Sequence, residues 1–366
     1  MNKRGQDRSS YWRYAWWVVV FVITILFATA ALPLIPTDQW WIRIGDYPRL
    51  QLLVIYLLCL PLLILFRRQP GVTFAALTLL LAAAIQLFWI YPYLPIATRQ
   101  VEAAESQAAE KQIRLLTANV LESNKDAAPL LELVKQQNPD LLVLCEINSR
   151  WAEQVASLKN RFVFHKVHPL ENGYGIAFYS QLEVPRCDIR HMVEEKIPSI
   201  DAEVVLRDGT VVRVFAVHPS PPSMGEDTTD RDAELVLVGK EVQDDPSVIV
   251  LGDLNDVGWS RTSNLFREVS RLLDPRKGRG FFNTFDVKSS IKRYPLDYVF
   301  HSDDFRVADM KVLPSIGSDH FPLFIQLSHE PPAEATQSAP ELDAGDREDA
   351  EDAVEAVQSE ADTDKT

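Results

Sequence analysis

Residues 251–255 place an acid and an amide directly after a short apolar run. The preceding Val-Ile-Val at 248–250 predicts a buried strand that ends near Gly252. Because side chains alternate along an extended chain, Asp253 and Asn255 point to the same side. A carboxylate beside a carboxamide can hold a water molecule or a phosphoryl oxygen. An Asp-x-Asn sequence that merely starts a turn is the structural alternative.

Polar side chains stand at the ends of several other apolar stretches. Each has an ordinary explanation as a turn residue, a helix cap or a packed histidine. Together they supply imidazoles, carboxylates and carboxamides, a set that suits a hard divalent cation and phosphate chemistry without a cysteine ligand or a P-loop. The candidates are Asn119, Glu146, His218, Asp253, Asn255, Asp297, Asp319 and His320.

The elements that must position these residues are mostly strands. Only some of the gaps between the apolar stretches have a helical pattern, as residues 126–137 do. Many strands with few intervening helices favour a mixed-sheet sandwich over a simple alternating fold. The predicted strands cover residues 113–120, 141–146, 175–179, 203–206, 211–217, 248–251, 296–300 and 323–327.

Seven short motifs follow one another between residues 112 and 328. They are Thr117-Ala118-Asn119, Leu144-Cys145-Glu146, Tyr174-Gly175-Ile176-Ala177, Val217-His218-Pro219, Gly252-Asp253-Leu254-Asn255, Leu296-Asp297-Tyr298 and Ser318-Asp319-His320-Phe321-Pro322. In this order they resemble the endonuclease/exonuclease/phosphatase superfamily, which has a deoxyribonuclease I-like fold. The resemblance implies an α/β (α+β) fold, a four-layer sandwich of two mixed β-sheets flanked by helices. The whole chain is similar to bacterial membrane-anchored members.

The resemblance also implies a metal-dependent phosphoesterase. It would hydrolyse a phosphodiester or phosphomonoester by in-line attack of water, with Mg²⁺ or Mn²⁺ as the cofactor. Glu146 would be the principal metal ligand, with Asn119 beside it, because hard oxygen donors suit Mg²⁺. Asp319 would belong to a second metal position or to the water network.

The remaining motif residues would handle protons and the phosphate. His320 would accept a proton from the attacking water or hydrogen-bond the phosphate, and Asp297 would fix its orientation. Asp253 and Asn255 would position water and phosphate, and His218 would stabilise the developing charge or help the leaving oxygen. Either Asp253 or His320 could be the base. We expect both of these to lie at an exposed strand end.

The chain departs from the family pattern after Ser180, where Gln181 stands in place of a basic residue. Arg231 is the alternative candidate for binding the substrate phosphate, and an arginine on a helix surface is the structural explanation. It follows a Pro-, Gly- and Asp-rich loop at 221–230 that could border the substrate.

Three apolar stretches predict an N-terminal membrane region at residues 1–96. The stretches at about 14–35, 50–66 and 72–91 are nearly free of charge, and their lengths suit transmembrane helices. Trp and Tyr residues near their ends suit the membrane interfaces. Three buried helices of a soluble protein, or a cleaved signal peptide over residues 1–30, are the alternatives.

Basic residues favour one orientation of these spans. Six Lys or Arg precede the first span or lie in the second loop, whereas three flank the opposite side. This excess places the N-terminus in the cytoplasm. Three crossings then put the following domain, residues 112–328, on the non-cytoplasmic side of a bacterial inner membrane.

The segments that flank this domain have distinct compositions. Residues 97–111 are a linker rich in Ala, Glu and Gln, with a short helical stalk as one form. Residues 329–366 combine acids with Pro, Ala and Ser, which predicts a disordered acidic tail, either solvated or bound to a partner. Cys145 and Cys187 could pair in an oxidising compartment if their separation allowed it.

The charge distribution bears on the substrate. Of the net charge of −14, residues 330–366 carry −11 and the first 100 residues carry +6, so residues 101–329 carry −9. An acidic domain disfavours duplex nucleic acid. A membrane tether favours a lipid-linked or small-molecule phosphoester. A nuclease acting on DNA or RNA and a non-catalytic phosphoester-binding module are the alternatives, and the sequence points to no particular protein partner.

Overall fold

The computed structural model describes residues 3–106, 108–222, 225, 227–331 and 336–363. The chain divides into two units, Met1–Pro92 and Tyr93–Thr366. Parts of the predicted loop at 221–230 and of the predicted tail at 329–366 lie outside the described residues.

The first unit consists of apolar helices. Three helical stretches are long and apolar enough to cross a membrane, namely Tyr11–Leu34, Arg49–Phe66 and Val72–Tyr93. They confirm the three apolar helices that the sequence predicts. The α-helices of this unit are α1 (Lys3–Ala31), α2 (Trp40–Arg43), α3 (Arg49–Leu62) and α4 (Val72–Ile90).

The second unit is built around strands. They are β1 (Gln112–Asn119), β2 (Leu141–Cys145), β3 (Phe164–His168), β4 (Ile176–Ser180), β5 (Glu183–Arg190), β6 (Ser199–Val205), β7 (Val211–Val217), β8 (Val248–Asp253), β9 (Asp297–His301), β10 (Phe305–Val312) and β11 (Leu323–His329). Sheet A has the order β10-β11-β1-β2-β4-β3, and sheet B has the order β5-β6-β7-β8-β9. Both sheets are mixed, because the pairs β1–β2 and β7–β8 are parallel and the other pairs are antiparallel.

Helices cover the outer faces of the two packed sheets. The inner faces meet in one apolar core, to which sheet A contributes Val143 and Ile325 and sheet B contributes Val214 and Ile249. The helices α5 (Ala128–Gln137) and α6 (Ser149–Gln154) pack on sheet A, and α7 (Thr229–Val242) and α8 (Arg261–Ser270) pack on sheet B. This arrangement confirms the predicted α/β four-layer sandwich.

Three strands have no counterpart in the sequence prediction, and all three are edge strands. They are β3, β5 and β10, which lie at the ends of the two sheet orders. Their sequences, FHKVH, EVPRCDIR and FRVADMKV, contain charged residues among the apolar ones. An edge strand is partly solvated, and charges there also prevent pairing with other chains, so its apolar signal is weak.

The linker at 97–111 joins the fold instead of forming a helical stalk. The side chain of Val101 is fully buried. The amide of Ala104 donates to the carbonyl of Val307 at 2.9 Å, and the amide of Val307 donates to the carbonyl of Glu102 at 3.0 Å. The linker therefore lies along the edge strand β10 and satisfies backbone groups that the edge would leave unpaired.

The predicted disorder of the tail is wrong for its second half. Residues Ala344–Thr363 form a helix, α9. Ala350 is 2% exposed and packs against Val236, Leu265 and Val269 of α7 and α8. A few small apolar residues spaced along an acidic helix are enough to dock it, and the composition of the segment as a whole hides this stripe.

The ends of the central strands meet at one edge of the sandwich, where two glycines allow close backbone approach. A Cβ on Gly252, whose φ is +140°, would lie 2.0 Å from the carbonyl oxygen of Val217. A Cβ on Gly175 would lie 1.7 Å from the carbonyl oxygen of Ile147. Residues 175 and 252 must therefore be glycine, because any side chain would force the strand ends apart.

Candidate active site

Asn119 connects a carboxylate of sheet A with one of sheet B. It is the last residue of β1, and its Nδ2 donates to Oε1 of Glu146 at 2.8 Å and to Oδ2 of Asp253 at 3.0 Å. The other Glu146 oxygen accepts from the amide of Glu122 at 2.9 Å. Glu146 follows β2 with a φ of +63°, a conformation that costs a non-glycine residue energy and is common at functional sites.

Two histidines lie near the Asp253 oxygen that accepts from Asn119. His320 Nδ1 lies 2.8 Å from Oδ2 of Asp297, and its Nε2 lies 3.5 Å from Oδ2 of Asp253. His218 Nε2 lies 3.8 Å from the same Asp253 oxygen. The antiparallel pairing of β8 with β9 places Asp253 opposite Asp297. Contacts thus run without a break from Glu146 to His320.

Burial and crowding shift the pKa values in this cluster. Burial raises the pKa of Glu146 and of Asp253. Burial also lowers the pKa of His218. Burial lowers the pKa of His320 too, but the carboxylates of Asp253 and Asp297 outweigh it and raise this pKa to about 10. His320 is therefore favoured as an imidazolium, which donates hydrogen bonds from both ring nitrogens.

The cluster fits a divalent cation. A carboxylate oxygen of Asp253 lies within 4.8 Å of one of Asp297. Oδ1 of Asp297 is buried and accepts no hydrogen bond from the described residues. Glu146 adds a further hard oxygen donor beside Asp253. Buried carboxylates at this density repel one another, and a cation among them relieves both the repulsion and the unsatisfied oxygen.

Asn255 and Arg231 lie on the flank of the cluster. Asn255 has a φ of +51°, its amide nitrogen donates to Oδ1 of Asp253 at 3.0 Å, and its Nδ2 donates to the carbonyl of Pro219 at 2.9 Å. Arg231 is 2% exposed, and its guanidinium contacts the carbonyl of Asn255 at 3.2 Å and the carboxylate of Asp232 at 2.8 Å. In this arrangement Arg231 supports the Asn255 turn, and its contact with substrate remains a prediction.

Asp319 is half-buried and lies just before His320. Its Oδ1 accepts from Ser318 Oγ at 3.3 Å, and its charge contributes to the raised pKa of Glu146, behind burial and Asp253. It does not belong to the close group of Asp253, Asp297 and His320. A part for Asp319 in holding metal remains a prediction.

Three residues that sequence analysis did not single out support the histidines and Asp297. The ring of Phe285 lies 5.0 Å from that of His320, and the ring of Tyr174 lies 5.6 Å from that of His218. The Thr284 hydroxyl accepts from the amides of Leu296 and Asp297, both at 3.2 Å. Tyr174 belongs to a motif quoted above, whereas Thr284 and Phe285 lie in the segment FFNTFDV at 281–287, which mixes aromatic and polar residues without a pattern that marks them.

The expected exposure of Asp253 and His320 is wrong. Asp253 is fully buried and His320 is 4% exposed. The strand ends of two packed sheets face each other here, and the Phe285 ring packs against His320. The strand ends are therefore shielded from solvent, which strengthens the electrostatic interactions among their side chains.

Comparisons with known proteins agree with this architecture. A model described as the endonuclease/exonuclease/phosphatase family matches residues 116–320. No curated protein sequence matches the chain. A truncated TDP2 from Caenorhabditis elegans aligns with a TM-score of 0.51 and 19% identity, over 59% of this chain and 98% of that one. A TDP2 from D. rerio, humanized by 14 mutations, aligns with a TM-score of 0.50 and 13% identity, over 60% of this chain and 99% of that one.

At these identities the solved structures show that the fold is shared, and the family model adds sequence evidence. The matched residues 116–320 make up more than half of the chain and extend from just before Asn119 to His320. Together with the four-layer sandwich and the carboxylate–histidine cluster at its edge, the match shows that the chain belongs to the endonuclease/exonuclease/phosphatase family.

Proposed function

We propose that this protein is a membrane-anchored, metal-dependent phosphoesterase that hydrolyses its substrate by in-line attack of water. One observation carries the proposal, namely the unbroken series of contacts Glu146–Asn119–Asp253–His320–Asp297, with separations between 2.8 and 3.5 Å. Residues from both sheets contribute to it, and burial of so many charged groups destabilises a fold unless they bind something.

The side chains divide the work by their charge and hydrogen bonding. Asp253 Oδ2 accepts a proton from the attacking water, because burial raises the pKa of this carboxylate. His320 Nε2 donates to a phosphoryl oxygen, and Asp297 holds the ring through Nδ1 at 2.8 Å. His218 adds a donor toward the negative charge that develops on the phosphoryl oxygens. The Asn255 side chain helps to align the phosphate for attack opposite the leaving oxygen.

Glu146, Asn119 and the neighbouring carboxylates would hold Mg²⁺ or Mn²⁺, with Asp319 in a second metal position or in the water network. When bound, the cation neutralises charge on the phosphoryl group and on the leaving oxygen. Arg231 is the further candidate for contact with substrate.

The three apolar helices support attachment to a membrane as a multi-pass anchor. The basic residues of the N-terminus and second loop favour a cytoplasmic N-terminus, so the catalytic unit lies on the non-cytoplasmic side of a bacterial inner membrane. This location and the net charge of −9 over residues 101–329 favour a lipid-linked or small phosphoester over duplex nucleic acid.

A substrate panel on the full-length chain in detergent tests this proposal. We expect Mg²⁺-dependent hydrolysis of a generic diester and faster hydrolysis of a phospholipid or lipid-linked diester, with neither activity in the matched variant Asp253→Asn. Single-stranded DNA and RNA are included because the sequence leaves a nuclease open. If the protein cleaves nucleic acid faster than the lipid substrates, a nuclease replaces the proposed lipid phosphoesterase. If the folded protein hydrolyses none of these substrates, a phosphoester-binding module is favoured.

A further inference from the structure

A hairpin at residues 284–294 extends from the candidate active site. Phe285 and Tyr294 pair across it, and the amide of Asp286 donates to the carbonyl of Lys292 at 3.0 Å. The tip is closed by its own hydrogen bonds, in which Ser289 Oγ accepts from the amide of Lys292 at 2.8 Å. The tip is therefore a defined structure that holds its side chains in place.

The tip presents one large apolar side chain among basic ones. Ile291 is 74% exposed. Lys288 and Lys292 are exposed beside it and form no ion pair with the described residues. Residues 286–293 contain three basic residues and one acid, whereas residues 101–329 as a whole carry −9. The tip therefore places an exposed isoleucine within a locally basic segment of an acidic domain.

The base of the hairpin is fixed to the catalytic edge. The amide of Val287 donates to the carbonyl of Asp319 at 2.8 Å, and the amide of Phe321 donates to the carbonyl of Thr284 at 2.8 Å. The guanidinium of Arg293 lies 4.6 Å over the ring of Phe321. Any surface that binds the tip is therefore held close to His320 and Asp297.

We propose that the tip of this hairpin, residues 286–293, binds the surface of an anionic lipid bilayer and so holds the catalytic edge toward the membrane. The proposal rests on the membrane attachment proposed above. Lys288 and Lys292 match anionic lipid headgroups, and Ile291 gains by leaving water for the acyl boundary. A nucleic acid would satisfy the lysines but would offer no comparable apolar environment for the exposed Ile291 side chain.

A depth measurement on the full-length chain in vesicles tests the proposal. Ile291→Cys, in a background of Cys59→Ala and Cys187→Ser, is labelled with an environment-sensitive fluorophore. The protein is reconstituted in phosphatidylcholine alone or with about 30% phosphatidylglycerol, each with brominated lipid as the quencher. Val163→Cys in the same background is the matched control, because Val163 is 78% exposed but lies outside the hairpin.

We expect at least twofold stronger quenching at position 291 than at position 163, and only in vesicles that contain phosphatidylglycerol. Lys288→Gln with Lys292→Gln should remove this difference, since each basic residue near an anionic surface strengthens binding by about fivefold. Equal quenching at the two positions, or quenching independent of phosphatidylglycerol, would overturn the proposal. The proposal would also be overturned if a single-stranded oligonucleotide shielded the fluorophore at position 291 and brominated lipid did not quench it.

Hydrolysis of a soluble diester, measured on the same vesicles, separates this proposal from the proposed function. Hydrolysis without quenching at position 291 rejects the lipid-binding tip and leaves the phosphoesterase intact. Quenching at position 291 without hydrolysis supports the lipid-binding tip and rejects the proposed phosphoesterase. The lysine variants lie outside the carboxylate–histidine cluster, so their hydrolysis of the soluble diester should equal that of the parent protein.

Discussion

At the scale of single residues, the most constrained side chain is that of Asp253. It is fully buried, and its Oδ2 accepts a hydrogen bond from Asn119 and lies near Nε2 of both His218 and His320. A buried carboxylate near other carboxylates contributes little to stability, because desolvation opposes the attraction of its partners. The burial of Asp253 therefore supports the proposed role of this residue in the reaction.

The substitution Asp253→Asn should separate activity from stability. We expect kcat/KM for a generic diester to fall by about 10³-fold, because the amide cannot accept the proton. The melting temperature should change by only a few degrees, since the shape is kept and a buried charge is removed. The control is Asp309→Asn on an exposed part of β10, which should leave both quantities unchanged. Near-normal turnover by the Asp253 variant would remove the assigned role.

Glu234 predicts how stability depends on pH. It is 2% exposed on α7, accepts from Ser199 Oγ at 3.1 Å, and burial raises its pKa from 4.5 to about 8. The unfolded chain loses this proton near pH 4.5, and the folded chain keeps it until about pH 8. The unfolded state thus binds fewer protons over this window, so the free energy of unfolding falls as the pH rises through it.

Glu234→Gln should remove the fall in the free energy of unfolding that occurs as the pH rises. We expect the variant to exceed the wild type in stability by an amount that grows from about pH 5 to pH 8 and reaches a few kcal/mol, since each pKa unit corresponds to about 1.4 kcal/mol. Thermal unfolding across this range measures it. The control is Glu195→Gln, on an exposed loop residue. Parallel stability curves for the Glu234 variant and the wild type would contradict the assigned pKa.

At the scale of elements, the docked helix α9 differs most from what composition indicates. Its contact with α7 and α8 centres on Ala350, with Ala353 and Val354 beside it. An ion pair of 2.7 Å between Arg261 and Asp349 lies at the same contact. The contact depends on a narrow stripe of small residues, so a single charge in it should release the helix.

Ala350→Glu should undock α9 because it places a charge in an apolar contact. Hydrogen exchange of the backbone amides in Ala344–Thr363 should then accelerate by roughly tenfold or more, while the strands keep their protection. Ala344→Glu is the control, because Ala344 is exposed in the first turn, where an acid is favourable. Unchanged exchange in the Ala350 variant would mean that the helix is held by other contacts.

The sequence predicts the central strands better than the elements around them. Strands such as β2 and β8 are buried on both faces, and their sequences, LLVLC and VIVLGD, are apolar up to the Gly-Asp that ends β8. Edge strands, the linker and α9 instead depend on partners distant in sequence, and local pattern carries little of that information. The same holds in the site, where the motif residues Glu146 and His320 can be named from sequence. The support by Phe285 and the burial of Asp253 arise only from packing.

At the scale of the whole molecule, the chain combines a unit of apolar helices with a catalytic sandwich. The first unit offers three stretches that could cross a membrane. With the proposed cytoplasmic N-terminus, three crossings would put the second unit outside the cytoplasm. Cys145 and Cys187 of this unit are both free, so the pairing that the sequence left open is not formed in the structure.

Fusions after Thr366 test this topology. We expect an alkaline phosphatase fusion to be active and a green fluorescent protein fusion to be dark, because the first folds outside the cytoplasm and the second folds inside it. The control pair is fused after Arg68, in the predicted cytoplasmic loop, where the two readouts should be reversed. A fluorescent fusion after Thr366 would mean that the chain does not cross the membrane three times from a cytoplasmic N-terminus.

The most direct test of the central claim is the Mg²⁺ dependence of diester hydrolysis by the full-length chain, compared with that of Glu146→Gln. If the clustered side chains hold a cation, the wild type should show saturable activation by Mg²⁺ that a chelator abolishes. The variant should need at least about tenfold more Mg²⁺ for half-maximal activity, because a charged ligand oxygen has been lost. Hydrolysis that survives chelation, or an identical Mg²⁺ dependence in both proteins, would contradict the claim.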